Sequence, residues 1–414
     1  MVTAPSEDAL IYDWTTAESE PVAPPRVAML DDETLRDGLQ SPSVRDPSLD
    51  EKVELLHLMD RLGIETADIG LPGAGPRQQE AVERLCCEIR DADLSIKANC
   101  AARTMLVDIE PIVEISQRTG VPIEVCAFIG SSPIRQYAEE WDLENMLRHT
   151  RESVEFSVRE GLEVMYVTED TSRAAPDDLR VLLTAGVDAG ARRLCLCDTV
   201  GAAVPQGVRN LVSWVVRLVE ELGVEDEVGI DWHGHRDRGL DLANTLAALE
   251  AGATRVHGTA LGVGERVGNT AMEQLLANLK LLGWRDDDLS CLPEYVEKTS
   301  TYLDVPIPIN TPIVGRDAFR TASGVHAAAV IKAQRKGDAW LADRVYSGVP
   351  AGMIGREQVI EISHMSGVSN VIHYLETHDL GGGMEIVEAV LAAAKGSKRT
   401  LTKEEVIEVI NAVT

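Results

Sequence analysis

The feature that most constrains this chain is an alternation. Between residues 26 and 284, short β-rich runs and amphipathic helical stretches take turns eight times. The strand candidates are RVAMLD (26–31), ETADIG (65–70), LSIKAN (94–99), PIEVCAF (122–128), EVMYVT (163–168), RLCLCD (193–198), EVGIDW (227–232) and TRVHGT (254–259). In 51–63, Val53, Leu56, Met59 and Leu62 recur at helical spacing and Gly63 stops the run. The stretches near 76–90, 105–119, 141–161, 176–189, 206–223, 239–251 and 269–283 read the same way. Strands alternating with helices predict an α/β fold with a parallel sheet and right-handed crossovers. Eight units in about 260 residues is the size of a (β/α)8 TIM barrel. An open doubly wound sheet is the runner-up, but the glycine fingerprint expected after its first strand is missing.

The flanks read differently. Residues 1–25 are polar and acidic, broken by Pro5, Pro21, Pro24 and Pro25, which predicts a tail or arm. Beyond residue 285 the alternation stops. Pro306, Pro308 and Pro312 mark a connector, and 313–414 reads mainly helical. The final LTKEEVIEVINAV carries a Thr402–Glu405 capping box ahead of an apolar stripe. The expected organisation is therefore a tail (1–25), a barrel (26–284), and a linker with a smaller, mainly helical C-terminal region (285–414).

Composition removes several function classes. Asp and Glu total 68 against 39 Lys and Arg, a formal charge of −29, so the basic footprint of a nucleic-acid binder is absent. Aromatics are only 4%, too few for a base-stacking platform. No apolar run approaches a membrane span. The N-terminus lacks the basic and apolar regions of a secretory signal, so a cytoplasmic protein is expected. Seven cysteines with no C-x-x-C pair argue against a zinc ribbon or a thioredoxin-like motif and suit buried, reduced thiols.

In barrels of this kind chemistry sits at the C-terminal ends of the strands. Polar residues gather there: Arg36, Asp37 and Gln40 after the first strand, Asp68 after the second, Asn99 after the third. Glu169 and Asp170 follow the fifth strand, and Asp198 and Thr199 end the sixth. The seventh leads through Asp231 to His233 and His235; the eighth leads to GTALGVGERVGN, holding Glu265, Arg266 and Asn269. His233 and His235 point the same way on an extended segment. With Asp37 on the strand adjacent after closure, they suit a divalent metal with positions left open for substrate. A bland alternative is two half-exposed loop histidines. TLRDGLQ reads either as a capping loop with a solvated Arg–Asp pair or as Asp37 on a metal and Arg36 on a substrate oxygen. The GVGERVGN glycines suit a plain turn or close approach to an anion.

Taken together and in order, TLRDGLQ, VTEDTSR, LCDTVG, DWHGHRDRGLDLAN and GVGERVGNTAMEQLL resemble the motifs of the 2-isopropylmalate synthase and homocitrate synthase family, metal-dependent TIM barrels related to HMG-CoA lyase. AFRTASGVHAAAVIKA resembles the segment that follows the barrel in those synthases, so the resemblance covers about residues 27–375. It implies a Claisen condensation of acetyl-CoA with a 2-oxo acid, assisted by Mg, Mn or Zn. By the resemblance, Asp37, His233 and His235 match metal ligands and Asn269 a further ligand or neighbour of the ion. Arg36 matches the arginine that stabilises the alkoxide, with Gln40 beside it. Glu169 and His326 match an acid–base pair, and Tyr346 a tyrosine following that histidine; SGVHAAAVIKA also reads as a helix start with a surface His. The family further implies a homodimer in which the C-terminal segment reaches the partner's barrel, so that His326 acts in trans.

Several positions depart from the family pattern. Leu39 stands where synthases usually carry Glu, Asp68 is one methylene shorter than the usual acid, Arg236 replaces Asn, and Leu261 replaces the Asn ahead of GVGER. Arg135 stands in SSPIR where leucine-pathway enzymes often carry His, which raises a dicarboxylic acceptor such as 2-oxoglutarate. The expected acceptor is 3-methyl-2-oxobutanoate, with homocitrate or citramalate synthase-like chemistry as alternatives. A leucine-regulatory domain is not expected. RDGLQ favours an HMG-CoA lyase-like cleavage slightly, whereas GVGERVGN favours the synthase.

Overall fold

The structure is a computed structural model that describes residues 7–14, 25 and 27–414. Most of the expected N-terminal tail, with Pro5, Pro21 and Pro24, lies outside the described residues. The chain divides into two compact units. The first comprises the described residues up to 42, with 64–270 and 282–285; the second comprises 43–63, 271–281 and 286–414.

The first unit is a closed barrel of eight parallel strands in chain order, β1 (Met29–Asp32), β2 (Thr66–Asp68), β3 (Lys97–Arg103), β4 (Ile123–Gly130), β5 (Val164–Glu169), β6 (Arg193–Asp198), β7 (Gly229–Gly234) and β8 (Arg255–Gly258). β8 closes on β1 with Asp31 opposite His257. The expected TIM barrel is thus borne out. Its strands are nearly continuous in burial, as parallel strands covered on both faces must be. The helix Pro205–Leu222 shows how a covering helix forms: Val208, Val212, Val215, Leu218 and Val219 make one buried stripe. Gly223, at φ 69°, ends it in the left-handed conformation.

The second unit holds the helix Leu49–Arg61 between β1 and β2, and the helix Met272–Leu281 after β8, together with Asp286–Thr414. The first of these begins earlier than periodicity alone predicts, because Ser48 and Glu51 form a capping box. The expected Thr402–Glu405 box is present at the start of Lys403–Val413. A two-stranded parallel pair, Arg320–Thr321 with Val359–Ile360, interrupts the otherwise helical C-terminal region. Ile362, Val371, Val390 and Val406 anchor a core there. All seven cysteines are free, and no described helix is long and apolar enough to cross a membrane.

Candidate active site

The site lies within the barrel unit and starts from the turn after β1. The chain keeps one more rung with β8 (Glu33 N to Gly258 O, 2.9 Å) and then turns. Thr34 N donates to Asp32 Oδ1 (2.8 Å), and the amides of Arg36 and Gly38 both donate to Glu33 O. This tight turn presents Glu33, Arg36 and Asp37 to one cavity.

β7 supplies His233 directly. His235 lies one residue past its end, where its amide donates to Asp198 O (3.2 Å) and an isolated antiparallel bridge ties it to Asn269. Asn269 is held by the loop after β8, its amide on Gly262 O at 3.0 Å. Gly264 in that loop has φ +156°, and a Cβ there would overlap the Asn269 amide and lie 2.5 Å from Asp37 Oδ2. Only glycine leaves that space open.

Asp37, His233 and His235 each offer a ligand atom within 4.8 Å of the others. The two Nε2 atoms face each other at 3.2 Å. Asn269 donates Nδ2 to Asp37 Oδ2, while its own Oδ1 is buried without a partner. His233 places Nδ1 2.8 Å from Glu33 Oε1. A carboxylate only accepts, so Nδ1 carries the proton and Nε2 the lone pair. One guanidinium, Arg36, contacts three carboxylates, those of Glu33, Asp37 and Asp68. Two facing imidazole nitrogens, an orphaned amide oxygen and surplus negative charge fit a divalent cation.

Protonation favours the same use. Burial, reinforced by His233, pulls His235 down to about 4, and burial lowers His233 as well. Both rings are neutral at neutral pH, as ligation requires. Burial opposes the charge on Asp37, but Arg36, helped by the hydrogen bond from Asn269, outweighs it and holds its carboxyl below the usual range. Burial likewise opposes Arg36, and Asp68 and Asp37 more than offset it. Asp68 is pushed up to about 6 by burial, against the pull of Arg36. Burial also raises Glu169.

The cavity has a volume of about 330 Å³. Arg36, Asp37, Gln40, Asp68, Glu169, Thr199, His233 and His235 line it, so the sequence reading brought these together. Thr199 Oγ1 also accepts from Asp170 N (2.7 Å). Asp170 and Asp198 are occupied in the scaffold: Asp170 takes a bidentate Arg173, and Asp198 accepts from the amides of Ala202 and Ala203. Arg135 is not among the lining residues; its Nη2 lies 3.5 Å from Glu139 and 3.7 Å from Glu169. His326 and Tyr346 belong to the second unit, where their exposed rings lie 4.3 Å apart. Sequence reading missed Glu33 and His257. The available signal for His257 was a titratable residue two places from Arg255 on the same strand face.

This fold and this mouth define a (β/α)8 barrel enzyme with a candidate divalent-cation site. The chain belongs to the HMGL-like family, whose model matches residues 27–294. It is 31% identical over 384 residues to the homocitrate synthase AksA of Methanopyrus kandleri, covering 92% of this chain and 90% of that protein. It is 36% identical over 314 residues to a probable 2-isopropylmalate synthase of the same organism, covering 75% of this chain and 59% of that protein. Among solved structures, the HMG-CoA lyase of Bacillus subtilis matches with a TM-score of 0.56 at 21% identity, over 69% of this chain and 97% of that one, a likeness of fold.

Proposed function

We propose that the chain condenses acetyl-CoA with a 2-oxo acid and water, releasing CoA and a 2-hydroxy-2-alkyl di- or tricarboxylate. The observation that carries this reading is the convergence of Asp37, His233 and His235 beside Arg36 at the barrel mouth. A divalent ion held by those three residues, with Asn269 as a further ligand, would act as a Lewis acid on the oxo acid's carbonyl. Arg36 supplies fixed positive charge where the alkoxide develops. Asp68 and Glu33 keep its guanidinium oriented. Glu169, a half-buried carboxyl with a raised pKa, takes part in proton transfer. Gln40 and Thr199 bind substrate polar groups.

The cavity wall includes an apolar stretch of Ala101, Cys126, Phe128, Met165, Val167 and Cys195. It supports an acceptor with a short apolar side chain, 3-methyl-2-oxobutanoate first. Arg135 is engaged by Glu139 and Glu169, which weighs against its use for a second acceptor carboxylate. Residues 26–284 form the catalytic region of this reading. The C-terminal region (285–414) brings His326 and Tyr346 to the barrel of a partner subunit in a cytoplasmic homodimer.

Free-thiol release from acetyl-CoA, measured with a panel of 2-oxo acids with and without chelator, tests this. The expected result is chelator-sensitive release that is fastest with 3-methyl-2-oxobutanoate. Preference for 2-oxoglutarate or pyruvate would redirect the reading to homocitrate or citramalate synthesis. Cleavage of 3-hydroxy-3-methylglutaryl-CoA without condensation would replace it with lyase chemistry. Mixing Arg36→Ala and His326→Ala subunits should restore activity if the histidine works in trans.

A further inference from the structure

Glu33 sits at the crossing of three contacts. It is 2% exposed. Its Oε1 lies 2.8 Å from His233 Nδ1 and 2.6 Å from His257 Nδ1, and Arg36 donates to its Oε2. His257 is fixed in turn, its Nε2 lying 3.0 Å from Asp231 Oδ2. Asp231 is itself clamped by Arg255 Nε at 2.5 Å and Arg193 Nε at 2.6 Å. A rigid series of bonded groups thus runs from the barrel interior to one candidate metal ligand.

We propose that Glu33, braced by His257, is a positioning residue: it fixes the tautomer and ring direction of His233 and the orientation of Arg36. The inference rests on the metal reading above. Without a carboxylate at Nδ1, His233 is free to carry its proton on Nε2 and present an N–H where a lone pair is needed. A carboxylate behind a ligating imidazole also raises its basicity, and losing such a partner costs about 10- to 100-fold in metal affinity. Glu33, His233 and His257 lie close enough to be read as an ion site of their own. The same Oε1 receives both Nδ1 atoms and Arg36 occupies Oε2, so the carboxylate is spent on donors.

The test is Mn2+ binding to the chelator-stripped full-length chain, followed by the loss of the free-ion EPR signal, with thermal melts alongside. Glu33→Ala should weaken Mn2+ binding by about 10- to 100-fold. Glu33→Gln, whose amide oxygen still accepts from Nδ1, should recover most of that loss. His257→Asn removes the brace without touching a ligand and should weaken binding by a smaller factor, about threefold to tenfold. Should Glu33→Ala fail to fold, the Gln and Asn variants carry the comparison. Wild-type affinity in folded Glu33→Ala, or in both other variants if it does not fold, would overturn the proposal. So would two Mn2+ per wild-type chain with one lost in His257→Asn, since that makes Glu33 a ligand. If the wild-type chain binds no Mn2+, the metal reading itself fails and takes this inference with it.

Discussion

The guanidiniums of Arg255 and Arg36 occupy one barrel under opposite conditions. Arg255, 2% exposed, donates to Asp231 at 2.5 Å and to Glu124 at 2.6 Å. Arg193 supplies a second positive charge to Asp231, so two cations meet two carboxylates. At the mouth, Arg36 meets the carboxylates of Glu33, Asp37 and Asp68. Nearby, Asn269 Oδ1 and His235 Nδ1 are buried with no partner. Opposite charges paired this closely hold strands together, whereas a surplus of carboxylates leaves room for a cation. Ion pairing of similar density therefore signals scaffold in one place and chemistry in the other.

The largest effect that could break this contrast comes from removing a mouth ligand. Asp37→Asn should lower kcat/KM by about a thousandfold or more, since a Lewis acid supplies several kcal/mol. The melting temperature of the metal-free protein should fall only modestly, by the favourable pairing that holds the Asp37 carboxyl below its usual range. A fall in metal-free stability to match the lost activity would mean that the mouth is scaffold too. Arg255→Ala should do the reverse, costing about 3–5 kcal/mol in urea unfolding by stranding buried carboxylates. A stable Arg255→Ala protein would erase the distinction.

The pH dependence of Asp68 sharpens the same comparison. Its folded pKa, about 6, stands above its ordinary value of about 4. The folded chain therefore binds this proton more tightly than the unfolded one. Wild-type stability from this group is fullest below about pH 4 and is lost as pH rises toward about 6, at about 1.4 kcal/mol per unit at most. The difference Asp68→Asn minus wild type should grow over that window when unfolding is measured at each pH on metal-free protein. A flat difference would remove Asp68 from the group of crowded carboxylates around Arg36. The smallest effect is expected from Ser48→Ala in the second unit, about 1 kcal/mol for one lost cap, with catalysis untouched; a larger loss would show that Ser48 supports more than its own helix.

The barrel was legible because its signals are local. RLCLCD (193–198) coincides with β6, and each expected strand overlaps an observed one. The HGH spacing, placed after a strand, pointed to His233 and His235 for the same reason. Glu33 and His257 were not legible, because their meaning depends on β8 closing against β1, a contact between residues more than two hundred positions apart. For Arg135 the sequence showed only the neighbourhood. Its place near a strand end suggested a pocket residue, while the helix Pro133–Glu139 turns its guanidinium to Glu139 and Glu169.

Cys126, Cys195 and Cys197 are buried and line the cavity, with Cys195 Sγ 3.8 Å from Cys197 Sγ. A water-soluble alkylating reagent that enters by the cavity's opening meets them there, slowly, since burial pushes the Cys126 and Cys195 thiols well up. Their labelling rate is therefore an occupancy gauge that needs neither turnover nor the acyl donor, and each acceptor can be ranked by how well it shields these three sulfurs.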